Sequence, residues 1–536
     1  MVGLADGADM LVAETALERN LLVEAVLPMP LEEYAKDFNA EALARLHRLL
    51  ERPDVQKVVL TLPDRGANSL VTPESSPDRD ALYANLTDAL TRKTNLLIAM
   101  WDGEFSALRG GTADTVVKYL AAHTGSPATT RVSFVTESHD IPCGQQVIYW
   151  VCVERASAAR AAPCAGPCYL SGVGENVLRR HPDMPPELRT QLTDLNRYNA
   201  EIQEQQSHGA FAAADALAAD LPESIAAAER SHLQRIDNEY RKADALAVIC
   251  QRHSLRLFKW FSYMASAMGL LFLVYAKLVA AKPFLIAYLV TMLVGFVVFH
   301  ATKSRHWFTK HLAYRVLAET MRIEFYLRLT DADREVNAED VLKLSGIDRF
   351  PGFSWITAVL KNVKPLTVRR IREQRHENVR LRLVQHKWIE GQLGYFKAKV
   401  RQLETTHHRL ERLKTALLYV LAVIAVVLLV FAEPLSRRLL DVGFSTKDLL
   451  MFFMGLLPVW LGIWELYQDK LATRELLWQY RNQLGHFSRA KIELAQALDG
   501  NRRVSILADL GRDSLMESYL WTIHRYHREH EPPSAG

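Results

Sequence analysis

The sequence predicts two kinds of structure in one 536-residue chain: an α/β domain with a parallel sheet of doubly wound type, then an all-α membrane region with four transmembrane helices. Three observations predict this. Short β-branched runs alternate with amphipathic helical stretches up to about residue 154. Four long apolar runs follow Phe258, each close to the ~20 residues that ~30 Å of hydrocarbon requires. Lys and Arg gather on the flanks of those runs.

In the first half, strands are expected at 22–28, 55–62, 95–101 and 146–154, with helices at 8–19, 31–52, 79–91 and 112–123. Strands alternating with helices argue for a parallel sheet, here assigned to a domain over 1–160. The stretch 161–256, Ala- and Glu-rich over much of its length, is read as a helical connector.

The four spans are expected at 260–278, 283–302, 413–432 and 449–467. The third runs from Ala416 to Phe431 without a charge, and a buried helix of a soluble protein is rarely apolar on every face for so long. The fourth is interrupted by Gly455, Pro458 and Gly462, which membrane helices tolerate when neighbours satisfy the freed backbone groups. Flanking charges set the orientation. Arg252, Arg256 and Lys259 precede the first span, and Lys303, Arg305, Lys310 and Arg315 follow the second. Arg409, Arg412 and Lys414 precede the third; Lys470, Arg474 and Arg481 follow the fourth. The short connections carry fewer: Lys277 and Lys282 in one, Arg437, Arg438 and Lys447 in the other. The positive-inside rule then places both termini and the central segment in the cytoplasm.

The layout divides this half into a hairpin with flanking helices at 257–345, a basic cytoplasmic segment at 346–412, a second hairpin at 413–500 and a tail at 501–536. Each hairpin is preceded and followed by a charged amphipathic stretch, which suggests a duplicated helix–hairpin–helix unit. Lys361, Lys364, Arg369, Arg370, Arg372 and Arg375 make the central segment strongly basic; anionic lipid and a solvated helix face are both open readings. No Asp, Glu, Lys or Arg stands at the centre of a span, which disfavours a secondary transporter.

Composition narrows the partners. Lys and Arg number 65 against 61 Asp and Glu, so net charge gives no reason to expect nucleic-acid binding. Five cysteines, Cys143, Cys152, Cys164, Cys168 and Cys250, form no disulfide framework by spacing. They are expected as free thiols in a reducing compartment. Cys164 and Cys168 have one zinc half-site spacing with no second pair nearby, so no metal is expected. No basic region with an apolar stretch behind it opens the chain, so no cleaved signal peptide is expected.

Ligands of doubly wound sheets sit at the carboxyl ends of strands, where loops meet helix N-termini. Two loops carry suitable residues. In the first, Gly3, Asp6, Gly7 and Asp9 lead into a helix; glycines permit close backbone approach, and freed amides attract phosphate. In the second, Asp102 closes a strand, and Gly110, Gly111, Thr112 and Asp114 open the next helix behind Arg109. Gly110 and Gly111 could wrap an anion, Thr112 adds a hydroxyl, and Asp102 suits a ribose hydroxyl or a base edge. A glycine loop before a helix is as often simple capping chemistry. Residues from Pro28 to Phe38, with Tyr34 and Asp37, are expected at the rim.

These residues resemble a family. The stretch Gly3-Leu4-Ala5-Asp6-Gly7-Ala8-Asp9, the strand ending Leu27-Pro28-Met29-Pro30, and Ile98-Ala99-Met100-Trp101-Asp102-Gly103 with Gly110-Gly111-Thr112-Ala113-Asp114 look like SLOG domains. Those are Rossmann-like folds of bacterial nucleotide-signalling and conflict systems, related to the LOG enzymes. The hairpins, with Tyr314-Arg315-Val316-Leu317-Ala318-Glu319, look like SLATT two-transmembrane effector modules. The resemblance implies a sensor of a nucleotide-derived ligand controlling a pore-forming or membrane-disrupting effector in the bacterial inner membrane, in antiphage or conflict signalling. Related domains begin with another strand ahead of the Gly-Leu-Ala stretch. Either the start codon is misassigned or this copy has lost part of its phosphate cradle. LOG-type hydrolases carry a Pro-Gly-Gly-x-Gly-Thr loop with a nearby Glu; here the second glycine step is missing, and Asp114 is the only acid on that helix turn.

Three functions follow. The first is a ligand-gated membrane effector, whose partners are the lipid bilayer, a small nucleotide-derived ligand and further copies of itself, since a pore from two hairpins needs several subunits. The second is a membrane-tethered enzyme cleaving a nucleotide or NAD, with Asp9, Asp102 and Asp114 as the candidate groups. The third is a passive scaffold anchored by four helices.

Overall fold

The structure, a computed structural model, describes residues 1–60, 76–103, 110–121, 133–135, 146–153, 166–174, 177–207, 209, 211, 216–223, 225–365, 374–436, 444–471 and 473–527. Arg109, Cys143, Cys164, Arg369, Arg370, Arg372, Arg437 and Arg438 lie outside the described residues. In chain order the first elements are α1 (Ala8–Glu18), β1 (Val23–Leu27), α2 (Leu31–Tyr34), α3 (Ala40–Leu50), β2 (Val55–Val59) and α4 (Ser76–Lys93). Then come β3 (Leu97–Trp101), α5 (Thr112–Ala121), β4 (Ser133–Val135), β5 (Val147–Cys152), β6 (Cys168–Gly174), β7 (Val177–His181) and α6 (Pro186–Ser207). The remainder is helical: α7 (Ala227–Leu273), α8 (Lys282–Lys303), α9 (Trp307–Leu329), α10 (Ala338–Ser345), α11 (Ile356–Val363) and α12 (Gln374–Leu383). It closes with α13 (Gly391–Leu435), α14 (Thr446–Leu471), α15 (Thr473–Gln496) and α16 (Gly500–Tyr526).

Two compact units emerge, an α/β unit of Met1–Ala200 with Gly346–His376, and a helical unit of Glu201–Ser345 with Glu377–Gly536. In the α/β unit, β1 and β2 pair in parallel from Val23↔Val55 to Leu27↔Val59, and Val2 adds a parallel bridge to Ala25 on the other edge of β1. Val23, Ala25, Val26 and Leu27 are all buried and Glu24 is the one polar residue of β1, as in a strand largely covered on both sides. Asn39 caps α3 by accepting from the Ala42 amide at 2.8 Å.

The second sheet is mixed, in the order β3-β5-β6-β7-β4. Its ends are parallel, β3 with β5 and β4 with β7, but β5/β6 and β6/β7 are antiparallel. The expected single parallel sheet is therefore replaced by two sheets, with parallel pairing at β1/β2, β3/β5 and β4/β7 and antiparallel pairing at β5/β6 and β6/β7. The stretch 161–256, read as a helical connector, opens with β6 and β7. Gly172, Gly174, Arg179 and Arg180 there disguise any alternating pattern. The segment around α11, expected in the central cytoplasmic stretch, packs into the α/β unit. Asn95 Nδ2 donates to the Ala358 carbonyl at 3.2 Å, Gln191 Nε2 to that of Ser354 at 3.0 Å, and the Tyr198 and Trp355 rings lie 4.5 Å apart.

Among the described residues of the helical unit, four helices are long and apolar enough to cross a membrane: Ala227–Leu278, Lys282–Leu329, Asn378–Phe431 and Thr446–Asp469. Three bury none of their apolar window and the fourth buries 11 %, so these faces are not the core of a soluble domain. The chain is a membrane protein. The two halves repeat one plan. A long helix (α7, 47 residues; α13, 45) enters the apolar zone, a shorter one returns (α8, 22; α14, 26), and a third packs back on the first (α9, 23; α15, 24). Helix α7 meets α8 and α14, and α14 meets α13. At the α7/α14 contact a Cβ on Gly269 would lie 2.8 Å from Val459, and one on Gly455 would lie 2.9 Å from Leu273. Each glycine admits the other helix's branched side chain, the small-residue packing on which membrane helices rely in place of a hydrophobic driving force.

Candidate functional site

Both glycine loops lie in the α/β unit, and helix α4 stands between them. Gly3 is buried, and a Cβ there would lie 3.1 Å from both Asp9 Oδ2 and Leu86 of α4. The Gly3 carbonyl accepts from the Tyr34 hydroxyl at 3.0 Å. Gly110 has φ 82°, and a Cβ would lie 2.5–2.9 Å from the backbone and Cβ of Tyr83, also on α4. The Tyr34 and Tyr83 rings lie 6.4 Å apart. One turn of α4, through Tyr83 and Leu86, thus touches both loops.

The acids of the two loops behave alike. Asp9 Oδ2 accepts from the Ala5 amide at 3.2 Å, and Asp114 Oδ2 accepts from the Gly110 amide at 2.8 Å. Each carboxylate sits four residues after the amide it closes and takes a place that a bound phosphate would use. Lys118 lies 3.4 Å from Asp114 and 3.0 Å from Asp88. Burial pushes the Asp9 carboxyl up from its ordinary value, with the Ala5 amide opposing. Tyr34 is also raised, first by burial and then by Tyr83, Asp9 and Asp37.

The other sequence candidates separate. Asp6 and Gly7 are exposed; Gly7 has φ 91° and precedes α1, where its carbonyl accepts from the Leu11 amide at 3.1 Å. Asp102 is buried directly after β3, at 4 % exposure. Gly111 is half-buried and its carbonyl is taken by the Thr115 amide and hydroxyl, both at 3.0 Å, while Thr112 is exposed at the start of α5. The expected rim is present in Tyr34 and Asp37. Sequence reasoning missed what Asp37 holds: Arg79 Nη2 at 2.6 Å and the Tyr83 hydroxyl, both on α4. Arg79 and Tyr83 are four apart on one helix face, the signal that could have marked them.

This edge offers carboxylate acceptors and two aromatic hydroxyls rather than open amides. It suits hydroxyl or amino groups better than a bare phosphate. The cysteines correct the expectation of five free thiols: Cys152, at the end of β5, is disulfide-bonded, whereas Cys168 and Cys250 are free. A bond between cysteines brought together by the fold leaves no trace in their spacing. Among the described residues no group of three His, Cys, Asp or Glu is placed to hold a metal ion.

No protein-family model, curated protein or solved structure matches this chain.

Proposed function

We propose that this chain is a receptor–effector of the bacterial inner membrane, with both termini cytoplasmic. Its Rossmann-like α/β unit takes a nucleotide-derived small molecule at the two glycine loops, and its four-span helical unit acts on the bilayer as a homo-oligomeric pore or disruptor in conflict signalling. The observation that carries this reading is the convergence of both loops on one turn of α4, in a chain that also exposes four apolar helices. The strand-end position is where α/β sheets hold ligands, and the acceptors at Asp9, Asp102 and Asp114 suit ribose hydroxyls and base amino groups. A phosphate would have to displace Asp9 and Asp114 from the Ala5 and Gly110 amides. The ligand must also bind the two effector states unequally, by about 5.5 kcal/mol for a nearly complete switch.

The test is a thermal-shift screen of detergent-solubilised full-length protein against nucleotides, cyclic oligonucleotides, NAD and ADP-ribose, followed by dye release from anionic liposomes. Ligand at about 100 times its Kd stabilises by about 2.7 kcal/mol. A hit lost in Asp102→Ala and Gly111→Trp, and triggering dye release, supports the reading. A panel without a hit, or a hit that leaves the liposomes intact, sinks it.

A further inference from the structure

The helical unit mounts its two hairpins on different stalks. In the first, α7 runs uninterrupted from Ala227 into its span, and neither α7 before Gly269 nor α9 contains a glycine. In the second, the helical run changes pitch: a π-helical turn, Val384–Glu390, stands between α12 and α13. Gly391 and Gly394 follow it directly, and Gly485 lies in the middle of α15, which packs along α13.

Packing requires none of these three glycines. All are exposed. A Cβ on Gly394 or Gly485 would meet nothing within 4 Å, and one on Gly391 would make an ordinary contact, 3.8 Å from the His386 carbonyl. They differ in this from Gly269 and Gly455, where a Cβ would collide with the neighbouring helix. A glycine inside a helix weakens it about fivefold relative to alanine, so each of the three loosens its helix without serving a contact.

The glycines stand at one level. Phe396, two residues after Gly394, lies 5.8 Å from Phe487, two residues after Gly485, and 5.7 Å from Tyr480. Ion pairs tie α13 to α15 on either side of this level. Glu390 meets Lys491 at 2.7 Å on one side, and Glu404 meets Arg481 on the side nearer the span. The π turn itself is anchored by Trp388, which is buried, stacked on Tyr326 of α9 at 5.4 Å and edge-on to Phe487 at 5.9 Å.

We propose that the level of Gly391, Gly394 and Gly485 is a hinge, at which α13 and α15 bend together and carry the second hairpin against α7. Long helices kink at glycines and at π turns, and here the two coincide. Because ion pairs join α13 and α15 on both sides, neither bends alone, and each has its glycine where the other yields. The first pair, α7 with α9, has neither feature and stays straight. The hinge lies wholly in the helical unit and holds whether or not the loop edge of the α/β unit takes a ligand.

The experiment is hydrogen exchange read by mass spectrometry on detergent-solubilised full-length protein, comparing residues 386–396 with residues 232–243 of α7. The two stretches are buried alike, through Trp388, Ile389, Leu393 and Phe396 in one and His232, Leu233, Ile236 and Asp237 in the other. Exchange should be at least about tenfold faster in the first. The triple variant Gly391→Ala, Gly394→Ala, Gly485→Ala should slow it at least about tenfold and leave the α7 stretch unchanged. Bending is read from spin labels carried on unnatural amino acids at the exposed positions Val423, Val290 and Leu520. Distances between 423 and 520 should spread at least about twice as widely as those between 290 and 520, and narrow in the triple variant. Equal exchange in the two stretches, exchange unmoved by the triple variant, or equal spreads of distance would each overturn the hinge.

Discussion

In the α/β unit the loop amides of Ala5 and Gly110 are each met by a carboxylate four residues on, whereas in the helical unit Arg322 Nε, Trp521 Nε1 and Ser514 Oγ meet nothing. The first arrangement comes from neighbours in sequence, which find each other as soon as the helix forms. The second lies on α9 and α16, two helices that join only in the finished fold. Local polar groups are cheap to satisfy, so a loop can look like a binding site and still be closed. Donors left without a protein partner in a packed bundle are expensive to bury.

The contrast can be tested by disturbing each side. The largest effect is expected at Glu319, which holds two arginines and is 13 % exposed. Glu319→Gln should cost about 3–5 kcal/mol, read as a fall in Tm, because both guanidinium groups lose their shared partner. Gly110→Ala should cost about 3 kcal/mol, since a positive φ and the Tyr83 backbone both oppose a Cβ. Gly7→Ala, with a positive φ but open space, should cost about 1 kcal/mol. Equal losses at the two glycines would mean that α4 does not press on the second loop.

A pH effect comes next. Burial, with Asp513 beside it, raises Glu517 from 4.5 to about 7, and neither of its oxygens has a hydrogen-bond partner. The folded state therefore keeps this proton between pH 4.5 and 7 while the unfolded chain releases it. Stability should fall by up to about 3 kcal/mol as pH rises through that window. Glu517→Gln should flatten this part of the profile; an unchanged slope would place its origin elsewhere. The smallest effect is at Asp114. Losing the carboxylate that closes the Gly110 amide should cost about 1 kcal/mol in Asp114→Ala, as for a helix cap. A rise in Tm instead would mark Asp114 as a strained group kept for a ligand.

Legibility in the sequence followed the range of the interactions. The strands expected at 22–28, 55–62, 95–101 and 146–154 appear at Val23–Leu27, Val55–Val59, Leu97–Trp101 and Val147–Cys152, because short β-branched runs between breakers are a local signal. The apolar helices were legible for the same reason. Strands β6 and β7 were not, since Ser171 is buried opposite Arg179 and no alternation survives. At the loop edge, Gly3 and Gly110 were found by their glycine pattern. The closing roles of Asp9 and Asp114 were legible in principle, each being four residues from its amide. The pocket lined by residues from Ala247 to Arg525 was invisible because tertiary packing alone brings its wall together.

Helix α7 runs unbroken for 47 residues, about 70 Å at 1.5 Å per residue. Ala247 and Gly269, the latter at the contact with α14, stand on this one rod, about 33 Å apart. A rod of that length gears small angles into usable strokes: tilting it by about 5° about Ala247 carries Gly269 sideways by about 3 Å. A Cβ on Gly269 would lie only 2.8 Å from Val459, so the two helices touch there without a second side chain between them, and a shift of that size would part them.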